Sequence, residues 1–95
     1  MAYPKISDQK TVTTAGTAVP LGTTQIDGAL MVKALDTNTG VVALGNDGAD
    51  DVTVSNGLRL LAGEVHIFDH VDNLAAIYLD SAVNGEGVSW LKLDV

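Results

Sequence analysis

Short apolar segments, separated by glycine, asparagine and aspartate residues, recur along the whole chain. In residues 29–35 the apolar residues Leu30, Val32 and Ala34 occupy every second position, and residues 65–68 repeat this spacing. Alternation with a period of two is typical of a β-strand that has one buried face. The spacing of three to four residues that marks an amphipathic helix is nearly absent. The pattern therefore predicts an all-β protein.

The turn residues divide the chain into eight or nine short candidate strands, at intervals of about 8 to 12 residues. This spacing predicts an antiparallel β-sandwich or barrel, jelly-roll-like in outline. Pro20 lacks a backbone N–H and is expected in an edge strand. Residues 36–40 are turn-forming and are expected to join the strands on either side of them in a hairpin. Residues 74–79 suit a helix or a strand, and the shortness of the segment favours a strand.

The chain has 95 residues, which is enough for one small domain. We predict a flexible N-terminal arm over residues 1–9 and a single β-sandwich or barrel domain over residues 10–95. A domain of this size buries only about 60 to 65% of its unfolded surface, so its core is marginal. The chain has no cysteine, which excludes disulfides and thiolate metal sites. Association with further copies or with a larger body is therefore expected to add stability.

Twelve acidic residues against five basic ones give the chain a net charge of -7. This is the wrong sign for neutralising phosphates, so neither nucleic acid nor an anionic membrane surface is expected as a partner. No apolar run reaches the ~20 residues of a membrane span, and the first residues lack the apolar core of a signal peptide. The sequence predicts a protein that is made and used without export.

The chain offers no recognisable catalytic constellation. Its four serines, Ser7, Ser55, Ser81 and Ser89, lie outside any nucleophile motif. Its glycines fit turns better than a phosphate-binding loop, since no helix is predicted to follow them. We therefore predict that the protein is not an enzyme and has no cofactor.

Two groups of residues suggest metal ligands. His66 and His70 would share a metal on a helix, but on a strand they stand ~13 Å apart; a half-buried His66 and a loop His70 are expected instead. Asp47, Asp50 and Asp51 share a glycine-rich loop that resembles a hard-cation loop but does not match the EF-hand pattern. A solvated loop is favoured, calcium there stays an open alternative, and no metal site is predicted.

Trp90 and Tyr78 are two of only four aromatic residues. Such side chains can form a stacking platform for carbohydrate, or they can pack in the core or at a subunit interface. The scarcity of aromatic residues favours packing, and a carbohydrate-binding or receptor-binding module remains the alternative function.

Several phrases of the sequence occur in an informative order: Asn38-Thr39-Gly40 leading into Val41–Leu44 and Gly45, then residues 56–64 with the turn Ala62-Gly63-Glu64, and finally Ile77-Tyr78-Leu79 before Gly87-Val88-Ser89. Over residues 19–93 the chain resembles small all-β modules of tailed-bacteriophage virions, of the capsid decoration or cement protein type.

This resemblance implies a structural virion protein that binds the outside of an assembled phage capsid and stabilises it. The implied partners are the major capsid protein and further copies of the chain, as a homotrimer, and the implied location is the capsid surface after synthesis in the host cytoplasm. A head-fibre base or tail component is the related alternative. We expect the arm residues Tyr3, Pro4, Lys5 and Ile6 to contact the shell.

Overall fold

The structure, a computed structural model, describes residues 6–46, 52 and 56–93. These residues form eight β-strands in two four-stranded antiparallel sheets. The predicted all-β fold is confirmed, and the two sheets form a sandwich that is not closed into a barrel. No helix in the described ranges has the length and apolarity that crossing a bilayer requires.

The first sheet has the strand order β1-β8-β3-β6. Its strands are β1 (Ser7–Thr11), β8 (Gly87–Lys92), β3 (Gln25–Ala34) and β6 (Val65–Asn73). The second sheet has the order β2-β7-β4-β5. Its strands are β2 (Val19–Pro20), β7 (Tyr78–Ser81), β4 (Val42–Gly45) and β5 (Leu58–Leu60).

The strands pair in the order of a jelly roll. β1 pairs with β8, β2 with β7, β3 with β6 and β4 with β5, so the chain is one long antiparallel ribbon folded over on itself. The β4–β5 hairpin is the closed end of this ribbon. Contacts of β3 with β8 and of β4 with β7 then join the ribbon segments into the two sheets.

The core lies between the two sheets and is built from the alternation seen in the sequence. Leu30, Val32 and Ala34 of β3 are fully buried, while the residues between them are only half-buried. Val88 and Trp90 of β8 lie beside them on the inner face. The facing sheet contributes Val42, Leu44, Leu60 and Leu79. Small β-branched and aliphatic side chains thus fill a thin core around a single tryptophan.

Two predictions about connections are wrong. The strands before and after residues 36–40 do not form a hairpin, because β3 and β4 belong to different sheets. The loop between them crosses from one sheet to the other. Residues 74–79 are not one strand, because residues 74–76 form a 3₁₀ turn before β7 begins at Tyr78. The Asn73 side chain starts this turn by accepting a hydrogen bond from the Ala75 N–H at 2.9 Å.

Two boundaries also differ from the sequence interpretation. β1 begins at Ser7, so residues 7–9 of the predicted arm belong to the edge strand of the first sheet. β6 continues through its polar second half to Asn73, because pairing with β3 satisfies its backbone there. The assignment of Pro20 to an edge strand is confirmed, since β2 lies at the edge of the second sheet.

Candidate functional site

An apolar row crosses the outer face of the first sheet. Ile67 of β6 lies opposite Met31 of β3, which lies opposite Leu91 of β8, which in turn lies opposite Ser7 of β1. All four side chains point away from the core, because their neighbours along each strand face inward. Ile67 is 53% exposed. We call the row of Ile67, Met31 and Leu91 the outer apolar row.

Further apolar side chains widen this row. Val65 is two residues before Ile67 on β6 and is 45% exposed. Leu93 follows β8, donates its N–H to the Ala29 carbonyl oxygen at 3.0 Å and is 41% exposed. Between β1 and β3 the surface dips into a shallow groove of about 360 Å³ that Met31, Leu91 and the polar residues of β1 line. The outer face of the first sheet therefore carries an apolar row on a shallow surface, flanked by Lys33, Ser89 and the polar side chains of β1.

A second groove opens between the two sheets, where β6 lies over β4 and β5. It has a volume of about 450 Å³, and its walls include His66, Phe68 and Leu58. The rings of His66 and Phe68 meet edge to face, with centroids 4.7 Å apart and planes at 86°. This contact holds His66 against apolar surface as part of the sandwich edge. The expectation of a half-buried His66 is confirmed.

The structure separates the two histidines. His66 faces the groove between the sheets, whereas His70 is exposed on β6, beside Asp27 and Asp72. His70 is therefore a strand residue and not the loop residue expected from the sequence. The candidate calcium residues Asp47, Asp50 and Asp51 lie outside the described residues.

The two aromatic candidates do not form a platform. Trp90 is 4% exposed and belongs to the core, where it lies opposite Val32. Tyr78 is half-buried on β7 of the other sheet. Because Leu79 next to it is fully buried on the inner face, the Tyr78 side chain lies on the outer face of the second sheet. Trp90 and Tyr78 thus lie on different sheets and cannot stack on one sugar.

Hydrogen bonds to residues distant in sequence hold the turn-forming segment 36–40 in place. The Glu86 carboxylate accepts hydrogen bonds from the Thr39 N–H at 2.7 Å, the Thr39 hydroxyl at 2.9 Å and the Gly40 N–H at 3.0 Å. The bond from the Thr39 N–H is the main reason why the pKa of Glu86 lies below its ordinary value of 4.5. Asn38 pairs with the backbone of Gly87 beside it. These bonds fasten the loop between the sheets to the start of β8.

Of the predicted shell-contact residues, Tyr3, Pro4 and Lys5 lie outside the described residues. Ile6 is 37% exposed, and its carbonyl oxygen accepts a hydrogen bond from the Lys92 N–H at 2.7 Å. This bond extends the pairing of β1 with β8 by one residue. Of the residues predicted to contact the shell, Ile6 therefore lies at the edge of the first sheet.

The sequence did not predict the outer apolar row. Its signal was present, because residues 65–68 place Val65 and Ile67 on one side and His66 and Phe68 on the other. Alternation alone does not show which side is the inner one, since both carry apolar residues. Nor does it show that Met31 and Leu91 continue the row, because strand order and register are tertiary facts.

Comparison of the chain with protein-family models, with curated proteins and with solved structures gave no match.

Proposed function

We propose that this chain is a structural virion protein that binds the outside of an assembled phage capsid and stabilises it, as a homotrimeric decoration protein without enzymatic activity. The observation that carries the proposal is the outer apolar row together with its neighbour Val65; Ile67 is 53% and Val65 45% exposed. Exposed apolar side chains clustered on one sheet face favour contact with another protein. Its burial would contribute roughly 25 cal/mol per Å² of apolar surface removed from water.

The shape of this face favours a protein partner over a small ligand. Small-molecule sites are concave and enclose most of their ligand. The outer face of the first sheet is instead spread over four strands, and its shallow groove of about 360 Å³ is open to solvent. Jelly-roll domains are common in viral capsids, which supports the proposal by analogy of fold alone.

The negative charge of the chain indicates which kind of partner surface it favours. A net charge of -7 repels nucleic acid and favours a basic surface on the partner. We propose two partners: the major capsid protein, through a basic surface, and further copies of this chain, which share its negative charge and associate through apolar surface. The proposed location is the capsid surface. Contact of Tyr3, Pro4, Lys5 and Ile6 with the shell stays part of the proposal, since Ile6 lies at the edge of the first sheet.

The proposal is tested by cosedimentation of the protein with empty capsids assembled from the major capsid protein of the same genome. We expect saturable binding, and we expect Ile67→Ser to weaken it at least tenfold, because a polar residue replaces the most exposed member of the row. Val83→Ser is the matched control, because Val83 is also a partly exposed apolar residue, 38%, but lies in the β7–β8 loop. Its binding should equal that of the unchanged protein.

Two results would overturn the proposal. One is absence of binding by the unchanged protein to capsids. The other is equal binding by Ile67→Ser, together with equal binding by a double variant in which Met31→Ser is added. The arm is tested separately by deletion of residues 2–5, which leaves β1 intact because this strand begins at Ser7. Undiminished capsid binding after that deletion would remove the arm from the proposal.

A further inference from the structure

A histidine and two aspartates meet on the exposed side of the β3–β6 pair. His70 Nε2 lies 2.9 Å from Asp72 Oδ1 and 3.8 Å from Asp27 Oδ1. One donor atom from each of the three residues lies within 4.8 Å of the other two. The side chains are 60% to 78% exposed, so an ion in solution can reach all of them.

Two irregularities in the strand pairing bring these residues together. Around the pair Gly28 and Val71, the register of β3 against β6 shifts twice. On one side two residues of β6, including His70, oppose one residue of β3; on the other, two residues of β3, including Asp27, oppose Asp72 alone. Each shift is a β-bulge, and bulges turn side chains out of the regular alternation. Asp27 itself adopts a positive φ of 50°.

We propose that Asp27, His70 and Asp72 bind one divalent transition-metal ion of the zinc type, with water completing its coordination. Zinc takes imidazole nitrogen and carboxylate oxygen at about 2.0 to 2.2 Å, which in a tetrahedral site separates two donor atoms by about 3.4 Å. The distances of 2.9 and 3.8 Å lie on either side of this separation. The donor atoms of Asp27 and Asp72 lie within 4.8 Å of each other. Side-chain rotations that bring all three separations to about 3.4 Å would form the site.

The charges and the donor set favour the same class of ion. Two carboxylates and a neutral imidazole carry a charge of -2, which a divalent cation neutralises. Within the described parts of the chain, neither Asp27 nor Asp72 forms an ion pair with lysine or arginine. The imidazole nitrogen selects zinc-like ions over magnesium and calcium, which prefer oxygen ligands. Such an ion would tie β3 to β6 where the regular pairing is interrupted.

The test is a titration of chelator-treated protein with Zn²⁺, followed by calorimetry and by the thermal unfolding midpoint. We expect one ion per chain and a higher midpoint with Zn²⁺, because the ligand set is assembled in the folded state. His70→Ala and Asp27→Asn should each weaken binding at least tenfold. Asparagine is chosen at position 27 because it tolerates a positive φ. His66→Gln is the matched control and should bind Zn²⁺ like the unchanged protein.

Three outcomes would contradict the site: no saturable binding of Zn²⁺, binding by His70→Ala or Asp27→Asn equal to that of the unchanged protein, or loss of binding in His66→Gln. Mg²⁺ bound as tightly as Zn²⁺ would also overturn it, because the imidazole would then contribute nothing. Unfolding midpoints measured in chelator show whether each variant still folds. If Asp27→Asn does not, Asp72→Asn replaces it with the same expected loss.

Discussion

Gly87 is the residue at which three parts of the chain meet. It lies opposite Thr11 of β1, and its backbone is held by the Asn38 side chain, which donates to the Gly87 carbonyl oxygen at 2.8 Å and accepts from its N–H at 3.3 Å. The Gly87 carbonyl oxygen also accepts from the Leu35 N–H at 3.1 Å, so Asn38 adds to the backbone pairing there. Both residues are buried, so this amide pair satisfies backbone groups that water cannot reach.

Replacement of Gly87 by alanine should destabilise the fold severely. A Cβ atom there would lie 2.7 Å from Thr11 Cα and would also meet the Lys10 backbone, so β1 must move away from β8. We expect a loss of about 3 kcal/mol, or failure to fold, in urea unfolding. Gly22→Ala is the control, because its Cβ would make only an ordinary contact with Leu74. Equal stability of the two variants would contradict the close approach.

Removal of the Asn38 amide should also lower stability. Asn38→Ala leaves the buried Gly87 N–H without this partner, whereas the Gly87 carbonyl oxygen keeps the bond from the Leu35 N–H at 3.1 Å; we expect a cost of about 1 to 3 kcal/mol. Urea unfolding measures the loss. Thr37→Ala, at an exposed neighbouring position, should stay within about 0.5 kcal/mol of the unchanged protein. An Asn38→Ala variant as stable as the unchanged protein would show that the amide pair does not contribute to stability.

At the scale of elements, the loop between β3 and β4 depends on the β7–β8 loop for its anchorage. The Glu86 carboxylate accepts three hydrogen bonds from Thr39 and Gly40. Without such partners the loop amides would have to find water, since they have no strand beside them. A carboxylate from a distant part of the sequence therefore fixes the passage of the chain from one sheet to the other.

This anchorage should depend on pH. The pKa of Glu86 is lowered in the folded state, mainly by the hydrogen bond from the Thr39 N–H, so its contribution to stability is complete above the ordinary pKa of 4.5. The contribution is lost as the pH falls through the lower folded-state pKa. We expect Glu86→Gln to flatten the fall in urea midpoint over this acidic range. Asp69→Asn, an exposed carboxylate outside the network, is the control, and an unchanged pH profile of Glu86→Gln would contradict the assignment.

At the scale of the whole molecule, two thin sheets enclose one small core and leave apolar residues outside it. Outside the face proposed to contact the capsid, Leu61 and Leu58 are each more than 40% exposed. A domain of 95 residues has little core to compensate for such exposure. Association that covers part of this surface would add the missing apolar burial, which is the physical basis for the proposed homotrimer.

Self-association is the prediction at this scale. Light scattering across a dilution series should give the mass of a trimer. Dilution that dissociates the trimer should also lower the thermal unfolding midpoint, because binding between subunits contributes to the stability of the fold. The series should be run in chelator so that the proposed metal site plays no part. A well-folded monomer at every concentration would contradict the trimer and would favour a decoration protein that binds its capsid as single chains.

The sequence predicted much of the fold and little of the site. Alternation identified Leu30, Val32 and Ala34 as one face, and that face proved to be the buried one. The hairpin predicted at residues 36–40 was wrong, because asparagine and glycine occur at any change of chain direction. They do not indicate whether the strand after the turn pairs with the strand before it. The arm residues Tyr3, Pro4 and Lys5 stay predictions, as they lie outside the described residues.

By itself the sequence determined the all-β class and the edge position of Pro20, because these depend on local alternation, turn residues and a missing N–H. Only the tertiary structure decided the jelly-roll order, the outer apolar row and the meeting of Asp27 with His70. Each of these joins residues from different strands. Strand pairing is selected by the packing of both sheets over one core, which no local stretch of sequence contains.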